Sequence, residues 1–285
     1  MRKYLSVYES LLLLLLLLLI FALIVNLIAD KRGGQEAKGT PQVYAETTGL
    51  CAGTGKWLEE SISEEDSQKM VEAFKLEEQE IYSFLQGPRS WNGGIPWSGE
   101  WCQFNVNGNS FGGFGCGLCC MANIYDTLSY YEVSPWDMCE YAMTVSNYAP
   151  DGKAGAIGWK DMRDTLRLCG MECKLYRKPK TYEGFRNHIK KMKSAVVLVC
   201  SGNDDTYWQD TAGHYVNIWL YQEEDETVFL AEPGSPENNR TRIPLRYVYD
   251  ALKTVSKFQY LAVESYWEEH NQWKGNGIDE SWNRP

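Results

Sequence analysis

From Leu11 through Ala29 the chain is apolar at every position but Asn26, with Arg2 and Lys3 before the run and Asp30, Lys31 and Arg32 after it. Nineteen residues at about 1.5 Å each cover roughly 28 Å, enough to cross a bilayer core. A cleaved signal peptide would carry a shorter apolar region with a small-x-small site close behind it. Leu27-Ile28-Ala29 is a poor site of that kind, so a retained anchor is expected. The basic residues flanking the run do not set its orientation. A short tail ahead of a single span and a long domain behind it favour an extracytoplasmic domain at the cell membrane.

Beyond the anchor the pattern changes repeatedly. Residues 30–60 lack any period and read as a linker, after a tail at 1–10 and the anchor at 11–29. Residues 61–90 read as an acidic helical segment closed by the stop signal Gln86-Gly87-Pro88. Residues 91–267 form the main domain. It opens with an aromatic, glycine-rich loop from Trp91 to Gly115, either packed over a core or walling a cleft. A helix is expected from Gly117 to about Tyr130, because Leu118, Met121, Ala122, Tyr125 and Leu128 recur at helical spacing. Ser134-Pro135-Trp136-Asp137 has the form of a capping box with proline in the first turn. Trp159, Met162, Leu166 and Cys169 mark another helix, and Tyr182, Phe185, Ile189 and Met192 the next. Leu245, Val248, Leu252 and Val255 mark the last.

Strands are expected at Ser194–Cys200, His214–Leu220, Thr227–Ala231 and Phe258–Val263, and residues 268–285 read as a frayed polar tail. Pairing the middle two strands as a hairpin with Ile218 facing Val228 and Val216 facing Leu230 brings His214 opposite Glu232, about 5 Å apart at Cβ. Helices first and strands later imply an α+β fold, with one helix packed on an antiparallel sheet.

Composition narrows the function classes. The chain carries eleven Trp, eighteen Tyr and a net charge of −10, a globular and acidic balance that argues against nucleic-acid partners. Nine cysteines show no framework spacing and several sit on apolar faces, so buried, unpaired thiols are expected.

Chemistry concentrates at three residues. Cys116, in Phe114-Gly115-Cys116-Gly117, stands at a helix start, where the backbone field suits a thiolate and free N–H groups can receive an oxyanion. The flanking glycines suit a sharp turn and close approach by substrate. His214 is the base by elimination: His188 reads as surface and His270 falls in the polar tail. Glu232 would orient its imidazole and stabilise the charged form. Asn217 points to the opposite face and is a poor substitute.

Gly115-Cys116-Gly117 opening a helix, Gly213-His214-Tyr215-Val216 opening a strand, and an acid before Pro233-Gly234 together resemble the bacteriocin-processing-peptidase-like proteins, family thirty-nine of the cysteine peptidases. The resemblance spans roughly Trp91 to Val263. It implies a papain-like fold with Cys116 as nucleophile, His214 as base and Glu232 as the orienting acid. It also implies an upstream glutamine at the oxyanion hole, for which Gln103 is the candidate in the preceding loop. The chain departs from the family in having Leu118-Cys119 where Pro-Thr is usual, and Glu in place of Asp.

The expected activity is hydrolysis of peptide bonds in a peptide or protein substrate, without a cofactor or metal and with the membrane as a partner through the anchor. Three alternatives stay open. A tethered binding module could keep the fold without turnover. Cys116 and Cys119 could form a C-x-x-C oxidoreductase site, although no βαβ pattern precedes them. A zinc site would have to recruit Cys169 and Cys173, whose spacing is weak for it.

Overall fold

A computed structural model describes residues 76–150, 155–202 and 207–285. The expected tail, anchor and linker lie outside these residues. Among the described residues no helix is long and apolar enough to cross a membrane.

Where the acidic helical segment can be checked, it is not helical up to Leu85. A single 3-10 turn at Glu78–Glu80 leads into an irregular stretch in which Ile81, Phe84 and Leu85 are fully buried. Tertiary partners replace the helix ladder. Phe84 N–H donates to Asn123 Oδ1 (2.8 Å) and Leu85 N–H to the Trp97 carbonyl (2.8 Å), while the Ser83 carbonyl accepts from Asn239 Nδ2 (2.8 Å). Burying three large side chains outweighs helix propensity here.

After helix α1 (Pro88–Asn92) come the two-residue strands β1 (Asn105–Val106) and β2 (Asn109–Ser110), then α2 (Phe111–Phe114) and α3 (Cys116–Leu128). Helix α4 (Pro135–Val145) begins with the expected box: Ser134 Oγ accepts from Asp137 N–H, and the Asp137 carboxylate accepts from Ser134 N–H. Then follow α5 (Trp159–Leu168), β3 (Cys169–Tyr176), α6 (Tyr182–Ile189), β4 (Ser194–Val199), β5 (His214–Gln222), β6 (Thr227–Ala231), β7 (Thr241–Pro244), α7 (Leu245–Ala251) and β8 (Tyr260–Asn271). Strands β3 and β7 were not legible in the pattern. The six main strands form one sheet in the order β3-β8-β4-β5-β6-β7, antiparallel throughout.

Strand parity sorts the core into two layers. Val196, Leu198, Tyr215, Trp219, Phe229 and Ala231 pack with α3, α4 and α5. Ala195, Val197, Val216, Ile218, Val228 and Leu230 pack with α6 and α7. Both faces are covered, which is why β4 is apolar without alternation. Helix α7 stops at Ala251 and leaves Val255 exposed. The chain turns there to bond with β4: the Ala251 carbonyl accepts from Cys200 N–H and Lys253 N–H donates to the Leu198 carbonyl.

Two expectations need correcting. The hairpin pairs Ile218 with Leu230 and Asn217 with Ala231, two positions away from the expected register. An irregularity between Trp219 and Gln222, with Leu220 at φ +46, carries β5 further and tightens the turn. A two-residue shift preserves parity, so His214 and Glu232 still share a face, now as diagonal neighbours. The C-terminal residues, in turn, are docked. Trp282 packs against Phe84 and Trp97, Asn283 exchanges backbone bonds with Trp97 and Ser98, and Arg284 pairs with Glu132. A tail with a tryptophan to bury does not fray.

The aromatic loop is core more than cleft: Trp101 is fully buried and its indole N–H donates to the Leu85 carbonyl (2.8 Å). Trp101→Ala is therefore expected to destabilise the protein by about 3–5 kcal/mol, measured by equilibrium unfolding in urea. A loss below about 1 kcal/mol would contradict a core role.

Candidate active site

Helix α3 is held to the sheet by a buried amide pair. Asn123 Nδ2 donates to Asn217 Oδ1 (3.0 Å), so Asn217 faces α3 and is engaged away from the imidazole. Cys116 opens the helix and is almost buried. Its flanking glycines serve packing more than backbone freedom. A Cβ on Gly115 would meet the Phe111 ring at 2.3 Å, and one on Gly117 would meet Ile157 at 2.7 Å. Helix α2 ends one residue before Gly115, so the cysteine follows a preceding helical turn.

His214 is the first residue of β5. Its Nε2 is hydrogen-bonded to Glu232 Oε1, and the Cys116 side chain is near enough to raise the imidazole pKa. With Nε2 committed to the carboxylate, Nδ1 is the nitrogen left for the thiol. Glu232 is 2% exposed yet fully partnered. Besides the imidazole it accepts the Gly234 N–H on Oε1 (3.0 Å) and the Trp208 indole N–H on Oε2 (2.9 Å). Gly234 also makes room for the ring, since a Cβ there would lie 3.1 Å from His214 Cε1.

The electrostatics follow from this geometry. Burial by itself would push the His214 pKa down, but the Glu232 charge, the nearby Cys116 side chain and the bond to Glu232 hold it well above the ordinary imidazole value. Burial would push Glu232 up, and the imidazolium with the Trp208 and Gly234 donors holds it below the ordinary carboxylate value. Both shifts describe a charged pair. The neighbouring cysteines are different: burial pushes Cys119 and Cys120 well up, Cys102 to about 11, and Cys139 and Cys173 to about 12. All eight described cysteines are free thiols, and among the described residues no His, Cys, Asp or Glu cluster could hold a metal ion.

A cleft of about 410 Å³ opens on the imidazole, lined by Gln86, Trp208, Asp210, His214, Glu232 and Asn238 among others. Cys116 is not one of its walls. Gln103 does not reach it either. That side chain is exposed and donates to Asn92 Oδ1 (3.1 Å). Two glutamines line the cleft, exposed Gln209 and buried Gln86; Gln86 has its backbone N–H on the Pro233 carbonyl (2.9 Å) and Nε2 on the Gly112 carbonyl (2.9 Å). Read as part of a helix stop, Gln86 was hidden; the signal was a polar residue closing the apolar run Ile81–Leu85. His188 is half-buried instead of at the surface, with Nδ1 bonded to the Tyr260 hydroxyl (2.8 Å). His270 lies exposed on β8.

The charged pair has a pH signature. His214, with its folded pKa raised, contributes stability that is complete below the ordinary value of 6.5 and lost as pH climbs through the raised value. Glu232, with its folded pKa lowered, contributes stability that is complete above 4.5 and lost as pH falls through the lowered value. The unfolding free-energy gap between wild type and Glu232→Gln should thus be larger at about pH 6 than at about pH 10. Urea titrations at both pH values check this, and equal gaps would exclude the pairing.

No family model matches the sequence, and no curated protein matches it significantly. Among solved structures the chain is similar to the peptidase domain of Streptococcus ComA, described as a bi-functional ABC transporter involved in a quorum sensing pathway. The identity is 15% and the TM-score 0.34, over 52% of this chain and 88% of that one. So partial an overlay carries no argument about activity.

Proposed function

We propose that this protein is a membrane-anchored cysteine peptidase in which Cys116 is the nucleophile, His214 the base and Glu232 the orienting acid. The observation that carries the reading is the His214 imidazole hydrogen-bonded to a buried, ionised Glu232, with Cys116 near enough to raise the imidazole pKa. Few structural roles need a buried carboxylate held by three donors on a histidine that a cysteine approaches. The aliphatic run 11–29 supports the anchor, with the hydrolase domain outside the cytoplasm and peptides or proteins as substrate.

In this mechanism His214 enters as the imidazolium, and Cys116 Sγ attacks the scissile carbonyl carbon as the thiolate. The carbonyl oxygen becomes an oxyanion. We assign its stabilisation to Gln86 in place of Gln103, because Gln86 is the buried amide at the cleft and its Nε2 keeps a second N–H beyond the one given to Gly112. The imidazolium then gives its proton to the leaving amine, the C–N bond breaks, and a thioester remains on Cys116. Water, deprotonated by the now neutral imidazole, attacks the thioester and releases the acid. Glu232 stays ionised throughout and stabilises each imidazolium stage; Trp208 and Gly234 keep its two oxygens in place.

Iodoacetamide labelling near neutral pH tests the dyad. Cys116 should react far faster than the other cysteines, six of which (Cys102, Cys119, Cys120, Cys139, Cys169 and Cys173) burial keeps as thiols, and His214→Ala should abolish that preference. Against a peptide library, His214→Ala should lower turnover about 10²- to 10⁴-fold, and Cys116→Ala should remove the products seen by mass spectrometry. Slow, uniform labelling with no Cys116-dependent product would favour a tethered binding module that uses the same cleft.

A further inference from the structure

A second concavity lies at the far edge of the sheet, between β3 and β8. Met171 pairs with Tyr266 and Cys169 with Asn271, so Gly170 alone stands opposite Trp267, Glu268, Glu269 and His270. Bulges of this kind re-aim side chains at the cost of ladder bonds. Gly170 is at φ +84, and a Cβ there would lie 2.6 Å from the Trp267 carbonyl oxygen, so only glycine fits the excursion. Glu268 is tied down within the fold, accepting from the hydroxyls of Tyr131 (2.9 Å) and Tyr266. Trp267, Glu269 and His270 line a cavity of about 540 Å³, joined by Arg167, Glu172 and Gln272. Trp267 is 46% exposed, and it is the only exposed tryptophan among the described residues.

We propose that this cavity binds a neutral carbohydrate, with a pyranose ring stacked on the Trp267 indole. An aromatic face receives the C–H face of a sugar, as it receives other ring edges. Apart from Gly170 and Met171, the remaining walls are planar polar groups of both kinds: donors on Arg167, acceptors on Glu172 and Glu269, and both on Gln272 and His270. A ligand must donate and accept around its rim to satisfy them, and hydroxyls do both. An apolar ligand would strand those groups. An anion would face two carboxylates. A quaternary cation would find one aromatic wall and a guanidinium beside it. The site is also pre-organised: Arg167 Nε and Nη2 are held on the Cys173 carbonyl (3.2 and 3.1 Å), and Glu172 Oε2 accepts from Ser265 Oγ (3.1 Å). Its volume falls within the usual range of small-molecule sites, about 300–1,000 Å³. The proposal does not depend on Cys116 chemistry.

Saturation-transfer NMR on the full chain in phosphatidylglycerol nanodiscs tests it, with chitotriose, maltotriose and cellotriose as probes and choline chloride as the cationic control. At least one sugar should show transfer to its ring C–H protons. Trp267→Ala should weaken that binding by at least about tenfold with an unchanged thermal melt, while Trp267→Phe, which keeps a flat face, should retain it. Failure of all three sugars overturns the proposal. So does sugar binding that survives Trp267→Ala, or Trp267-dependent binding of choline alone.

Discussion

Everything near the cleft answers to one buried charge. A carboxylate with almost no solvent contact costs several kcal/mol to hold ionised unless hydrogen bonds and an opposite charge replace its water. Glu232 draws its compensation from separate parts of the chain: the imidazole at the start of β5, the indole of Trp208 in the preceding loop, and the Gly234 amide beyond β6. Its own backbone N–H goes to Asn239 Oδ1 (2.9 Å), and Asn239 in turn binds the Ser83 carbonyl. Satisfying one side chain therefore fixes the 81–86 stretch, the loop before β5 and the turn after β6 around the same cleft.

The sulfur arrives by a different route. Helix α3 lies on the sheet face built from the odd positions of β5, held there by Asn123 and Asn217. The same Asn123 anchors Phe84 N–H. One buried amide thus registers the helix against both the sheet and the segment carrying Gln86, and the helix start comes to the imidazole. The close contacts at Gly115 and Gly117 show that this approach leaves no room for side chains.

Polar side chains are turned toward open space at two places. At one, β5 begins and β6 finishes beside the cleft. At the other, β8 bulges opposite a left-handed glycine and leaves a tryptophan half in solvent. Between them the sheet is covered on both faces by largely apolar packing, with the buried Asn123–Asn217 pair set into it.

How much of this could be read beforehand depends on the range of the interaction. Local rules sufficed for the helix starts at Ser134 and Cys116, for the buried run of β4, and for the expectation that His214 and Glu232 share a face. Parity along a strand is a property of the chain, and it survived a two-residue error in register. They did not suffice for Ile81–Leu85, which the acidic surroundings made look helical, because its backbone partners are Asn123, Trp97 and Asn239, each remote in sequence. Gln86, and not Gln103, reached the cleft for the same reason. The C-terminal residues looked frayed until Trp282 found its pocket. Period and capping are written in neighbouring residues and so belonged to the sequence. Which polar group meets which across the core is set by long-range burial, and only the folded chain decided it.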